Sequence, residues 1–160
     1  MHEGGLRVPG IIERPARIRQ PAVSEVPICT SDILPTIVEL LGLEYPDGRP
    51  LDGVSLVGLL DGQMDARPRP IGFWHFAGPN ADFRESAGTA AWTDHRFKLV
   101  RSGVAAFELY DLLADPGETT NAAAQHPEDV ARMRQELQAW QRSVLASYAN
   151  KDYAESDEEK

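Results

Sequence analysis

The feature that most narrows what this chain can fold into is a stripe near its C-terminus. Val130, Met133, Leu137, Trp140, Val144 and Tyr148 recur at spacings of three and four, the period of one face of an α-helix. Pro127 stands where a first-turn proline costs no hydrogen bond, and Glu128 and Asp129 fall at the positive end of the helix dipole. A helix apolar on one side needs a layer to lie across, and the preceding residues supply one. Ile71–Phe76, Thr89–Trp92, Phe97–Arg101 and Phe107–Leu112 read as strands, the second and third joined as a hairpin through Asp94-His95-Arg96. The pattern predicts a small antiparallel sheet of about four strands with the helix across it. The aromatic members of the stripe belong to that core rather than to a ligand box.

Upstream the period is different. Thr30 or Ser31 caps a helix that Asp32 favours at its dipole and Pro35 enters in the first turn. Ile33, Leu34, Ile37, Val38, Leu40 and Leu41 make it apolar nearly all round, so burial is expected, and Gly42 is its stop. Leu6–Ile12 reads as a short strand, on an edge or bent because of Pro9. Arg14–Pro27 is a loop, and Asp52-Gly53 a turn before a short helix over Leu56–Leu60. The Arg- and Pro-rich run from Gly62 to Pro70 marks a boundary near Arg67. The expected division is 1–67, 68–150 and a disordered acidic tail over 151–160.

Charge excludes some partners. A formal net charge of -9, with Lys and Arg scattered among carboxylates, does not build a nucleic-acid surface and discourages anionic membranes. No apolar run approaches the roughly 18 residues of a membrane span. The first ten residues, MHEGGLRVPG, lack the apolar core of a signal peptide and read as a turn that something earlier should precede. Cys29, the one cysteine, makes neither an internal disulfide nor a thiolate metal cluster, and reads as a buried structural thiol.

Four segments in order carry a resemblance: Glu3-Gly4-Gly5-Leu6-Arg7-Val8-Pro9; Thr30-Ser31-Asp32-Ile33-Leu34-Pro35-Thr36; Leu51-Asp52-Gly53-Val54-Ser55-Leu56; and His95-Arg96-Phe97-Lys98-Leu99-Val100 running through Glu108-Leu109-Tyr110-Asp111-Leu112 to Asp115-Pro116-Gly117-Glu118 and Asn121. Together they resemble the C-terminal third of the formylglycine-dependent, arylsulfatase-like sulfatases, within the alkaline-phosphatase-like superfamily. The resemblance implies an α+β architecture: the C-terminal part of the family's α/β domain, then a small antiparallel sheet packed by a long C-terminal helix. It implies a parent hydrolase of sulfuric esters, acting on sulfated carbohydrate or aryl sulfate. In that parent a formylglycine made from Cys or Ser attacks sulfur, and a divalent cation, usually calcium, polarises the sulfate. Periplasmic or extracellular localisation is suggested on the same ground.

The departures limit what this chain does. Cys29-Thr30-Ser31-Asp32-Ile33 has neither the proline nor the arginine of the family's Cys/Ser-x-Pro-x-Arg maturation motif, so Cys29 is not the nucleophile. The family's metal-binding Asp-rich segments have no counterpart, and its active-site lysine falls ahead of Met1. No catalytic residue, metal ligand or cofactor is therefore assigned within the chain, and inactivity alone is expected.

The remaining candidates are weaker. His75 reads as a group at the substrate cleft, or more simply as a hydrogen-bonded histidine on a half-buried strand. Trp74 reads as a sugar-stacking platform or as packing, with the loop from Gly78 to Gly88 as a rim. His95 is a turn residue and His126 a helix-entry residue. Asp111, Asp115 and Glu118 read as backbone caps before a cation cluster. Glu3 and Arg7 have either an orienting role or an internal ion pair. Rival functions are a phosphonate or phosphate monoesterase of the same superfamily and a stand-alone glycan-binding or interaction module. Self-association through the apolar N-terminal part is a further expectation.

Overall fold

The computed structural model describes residues 2–45, 51–75, 88–103 and 106–151. The chain forms two compact units, Val8–Pro70 and a second that joins Met1–Arg7 to Ile71–Lys160.

The second unit holds the sheet. Strands β1 (Ile71–His75), β2 (Thr89–Asp94), β3 (Phe97–Ser102) and β4 (Phe107–Asp111) lie in sequence order, every neighbouring pair antiparallel. Asp94 pairs with Phe97, so the β2–β3 connection is the two residues His95 and Arg96. His95 takes a φ of +40° there, in the left-handed region that a tight hairpin demands. The long helix (Pro127–Tyr148) crosses one face. There Ala90, Trp92, Phe97, Leu99 and Leu109 meet Met133 and Leu137 in one core, with Val130 and Trp140 at its margin. Gly72 is required beneath Trp140, because a Cβ would sit 2.7 Å from the indole. The stripe read from the sequence is therefore the packed face, except that Tyr148 at its end stays exposed. The opposite face carries Ala91, Val100 and Tyr110, with Phe73 and Leu112 beside them.

A single helical turn, Glu3–Leu6, belongs to this unit despite its distance along the chain. The strand expected over Leu6–Ile12 does not form. A strand needs a partner for its ladder, Pro9 lacks an N–H to give, and no described segment pairs with it.

The unit Val8–Pro70 is built differently. One 3₁₀ turn (Thr30–Asp32) leads into a helix (Ile33–Leu40), which stops at Gly42 with a φ of +63°. A second, short helix spans Val57–Leu60. Val54 and Leu56 are buried, but Ile33, Leu34, Ile37 and Leu41 are each about half exposed or more. The expected burial of the Ile33 helix is thus not met within this unit. Its apolar faces outnumber the apolar surfaces that Val8–Pro70 offers it. The loop Gly78–Gly88 (all but its last residue), Pro46–Pro50 and the acidic tail from Asp152 lie outside the described residues.

Candidate functional site

Two buried ionic clusters, one in each unit, are where the chain concentrates its polar chemistry. In Val8–Pro70 the centre is Asp32. Arg67 grips it with both guanidinium nitrogens, at 2.6 and 2.7 Å, and neither side chain reaches solvent appreciably. The carboxylate also accepts the backbone N–H groups of Cys29 and Val54, both at 2.8 Å. Burial alone would raise the Asp32 pKa. The Arg67 guanidinium and the two N–H donors outweigh it and hold the carboxyl below its ordinary value. Thr36 extends the cluster: its hydroxyl donates to the Asp32 carbonyl at 2.6 Å and accepts from Leu56 N–H at 2.9 Å. The approach is so close at Gly53 that a Cβ would lie 2.0 Å from the Ser31 carbonyl oxygen. The segments Thr30–Thr36 and Leu51–Leu56 are therefore two halves of one polar knot. Arg67, read from sequence as linker, is its key; arginines alternating with prolines carry no periodic signal of burial. Cys29 is half-buried rather than buried, with its Sγ 3.1 Å from Ser31 Oγ and 3.7 Å from Arg67 Nη2.

The second cluster centres on Lys98. Its side chain is fully buried on β3, and its ammonium lies 2.8 Å from Glu3 Oε1 and 2.9 Å from Glu118 Oε1. Glu118 accepts the backbone N–H of Glu3 at 2.6 Å, and His2 Nδ1 lies 3.2 Å from the same oxygen. The His2 ring stands edge-on to Tyr110, centroids 5.6 Å apart. Burial works to raise the Glu118 pKa, but the Glu3 N–H, Lys98 and His2 together bring it below its ordinary value. The sequence marked Glu3 and Glu118 as candidates without joining them, and Lys98 looked like an ordinary polar member of an alternating strand.

Trp74 and His75 are successive strand residues and so face opposite sides of the sheet. Trp74 lies against Trp140, centroids 6.4 Å apart, on the helix side. Gln141, buried and off the apolar stripe, lies beside Arg101 Nη1, which donates to its Oε1 at 3.3 Å, and the opposite amide orientation would let it accept from Trp74 Nε1 at 3.2 Å. His75 is exposed on the other side. The remaining candidates serve local structure. Asp111 takes Arg96 and the N–H groups of Leu113 and Ala114; Asp115 takes those of Thr119 and Thr120. The Glu118 N–H donates to the Asp115 carbonyl at 3.0 Å, while its carboxylate faces Lys98. His126 precedes the long helix and lies tilted against Phe97, centroids 4.8 Å apart.

A hard cation such as calcium needs six or more oxygen ligands with carboxylates free to face it. Among the described residues no three His, Cys, Asp or Glu side chains are grouped to hold a metal, and the buried carboxylates of Asp32 and Glu118 already face Arg67 and Lys98. The described residues offer no ligand set that fits such a cation.

Comparison with known proteins gives these clusters a context. Residues 1–143 match the family model described as N-sulphoglucosamine sulphohydrolase, C-terminal. A sulfatase of Formosa agariphila is 34% identical over 153 residues, covering 87% of this chain and 28% of that protein. The phosphonate monoester hydrolase of Agrobacterium radiobacter shares 31% identity with a TM-score of 0.50, over 69% of this chain and 24% of that one. A sulfatase structure from Bacteroides fragilis superposes with a TM-score of 0.61 at 15% identity, over 82% of this chain and 28% of that one. The chain spans less than a third of the length of these relatives. It belongs to the sulfatase family and corresponds to that family's C-terminal portion.

Proposed function

We propose that this chain is the architectural C-terminal part of a sulfuric-ester hydrolase acting on sulfated carbohydrate or aryl sulfate, and that it does no chemistry alone. One observation carries the reading. The chain matches the family over residues 1–143, yet among the described residues the buried Asp32 and Lys98 are paired with Arg67 and Glu118. None is left as nucleophile, base or metal ligand. Formylglycine and calcium, where the full-length parent uses them, come from its other segments. Residues 1–67 are read as a piece of the large α/β domain, which the exposed apolar helix Ile33–Leu40 supports. Residues 68–150 are read as the small subdomain. Of the two substrate-contact candidates, His75 is the better, since Trp74 is engaged with Trp140. The parent's partner is a sulfated small molecule or glycan.

The test is turnover of an aryl sulfate by the 160-residue chain with added calcium. No hydrolysis above the buffer rate is expected; enzyme-dependent turnover would sink the reading. The similarity to a phosphonate monoester hydrolase at 31% identity favours one second reading, a phosphonate or phosphate monoesterase parent. The same assay repeated on a full-length parent, with aryl phosphonate beside aryl sulfate, separates the two.

A further inference from the structure

A lysine with no exposed surface in the middle of a strand is costly. Removing an ammonium from water is repaid only by close, well-directed anions, and an apolar side chain of similar volume commonly serves stability as well or better. Stability of the sheet therefore does not account for Lys98. What an ammonium supplies, and a hydrocarbon cannot, is a fixed position for carboxylates. It has two, Glu118 from the loop after β4 and Glu3 from a segment 95 residues away along the chain. The ammonium lies at nearly equal distance from the two, 2.8 Å from Glu3 and 2.9 Å from Glu118.

Glu3 is held at both ends. Lys98 takes its carboxylate, and Glu118 takes its backbone N–H at 2.6 Å. The residue before it is held as well, the His2 ring lying between Glu118 and Tyr110. Packing does not wedge the turn: a Cβ built on Gly4 or Gly5 would meet nothing within 4 Å. All these contacts lie on the face of the sheet opposite the long helix, where Lys98 and Tyr110 pair across β3 and β4.

We propose that Lys98, Glu118 and Tyr110 form a built recognition site for an acidic helical turn, occupied in this chain by His2–Leu6, and that Lys98 is a positioning residue for that turn. The site reads a glutamate twice, through its carboxylate and its backbone N–H, and it anchors the N-terminal segment to the C-terminal sheet. This stands on the cluster's geometry and does not depend on the sulfatase reading.

Amide exchange in the full 160-residue chain tests it, followed residue by residue for Glu3, Gly5 and Arg7 and, as the internal reference, for β3. A charge-assisted hydrogen bond is strong enough that its loss should raise exchange of the segment by about tenfold. Glu3→Gln is expected to do so while leaving β3 within about twofold, since the ladder of the sheet is intact; the double variant Lys98→Met with Glu118→Gln, which leaves no buried carboxylate without its cation, is expected to do the same. The proposal is overturned if the wild-type segment already exchanges at the unstructured rate, or if either variant leaves it as protected as before. It is equally overturned if segment and strand loosen together in Glu3→Gln, or if the double variant unfolds as a whole, because the cluster would then support the sheet. Glu3→Gln changes only a partly exposed side chain, so the folded comparison is secure.

Discussion

Each unit buries one ionic cluster, but the two place their apolar residues in opposite ways. In Met1–Arg7 with Ile71–Lys160, the fully buried side chains include Leu99, Leu109, Met133 and Leu137, and the sheet and helix cover each other. In Val8–Pro70 the most buried side chains include Asp32 and Arg67, while Ile11, Val23, Ile33, Ile37 and Leu41 lie on the surface. One unit is closed by hydrophobic burial, which is non-directional and tolerant of detail. The other is closed by a bidentate ion pair and threaded hydrogen bonds, which are directional and fail abruptly when a partner is lost. The lesson is that a unit with its apolar face outward relies on polar geometry to keep its local shape.

The sharpest way to break this contrast is to remove one partner of the knot. Arg67→Met leaves the Asp32 carboxylate buried without its cation, and losing one member of a buried pair costs about 3–5 kcal/mol. All three tryptophans, Trp74, Trp92 and Trp140, lie in the other unit. Urea unfolding followed by tryptophan fluorescence should therefore keep its wild-type midpoint, while exchange at the Val54 and Leu56 amides accelerates. A fluorescence midpoint that falls in step with those amides would mean that the two units unfold as one block.

The reciprocal change is Leu137→Ala, which empties a fully buried position between the helix and the sheet. Large-to-small changes of this kind cost about 2–5 kcal/mol. Here the fluorescence midpoint should fall and the Val54 amide should hold. A loss of less than about 1 kcal/mol would show the helix to be loosely seated, against the packing density expected of such a core.

How much of this was legible follows from the same contrast. Hydrophobic burial writes itself into sequence as a period, so the four strands, the His95-Arg96 turn and the stripe from Val130 to Val144 could be read directly. Polar geometry writes no period. Arg67 stands where arginines alternate with prolines, Lys98 is the expected polar member of an alternating strand, and Gln141 sits off the stripe. The apolar content of Ile33–Leu40 led to an expectation of burial that its unit does not meet, because content does not name a covering surface. Leu6–Ile12 shows the complementary failure: strand-like residues without a partner stay irregular.

Acid should act on the two clusters in the same direction. Asp32 and Glu118 are both held below their ordinary values of 3.8 and 4.5. As pH falls, the unfolded chain takes up these protons first, so the stability the two carboxylates contribute is fully present above about pH 5. It is lost progressively as pH drops through the lower folded values. Urea midpoints taken from pH 7 to pH 3 should therefore decline on the acid side. In an Asp32→Asn chain, the decline read at the Val54 amide should become shallower. An unchanged slope there would take Asp32 out of the linkage.

The smallest expected effect concerns the outward apolar face. Ile37→Ser exchanges a side chain that is 48% exposed for one of similar helix propensity, and surface changes of this sort usually stay within about 0.5 kcal/mol. The change should matter for association instead, because contiguous exposed apolar surface on a soluble chain tends to find a partner. Light scattering across a concentration series should show the wild-type chain self-associating and Ile37→Ser shifted toward monomer, at unchanged unfolding midpoint. If the wild-type chain stays a monodisperse monomer, the outward face is tolerated in water and self-association is wrong. If Ile37→Ser instead lowers stability by a kcal/mol or more, Ile37 is packed in solution, and the division into an inward-facing and an outward-facing unit fails at the residue where it is most exposed to test.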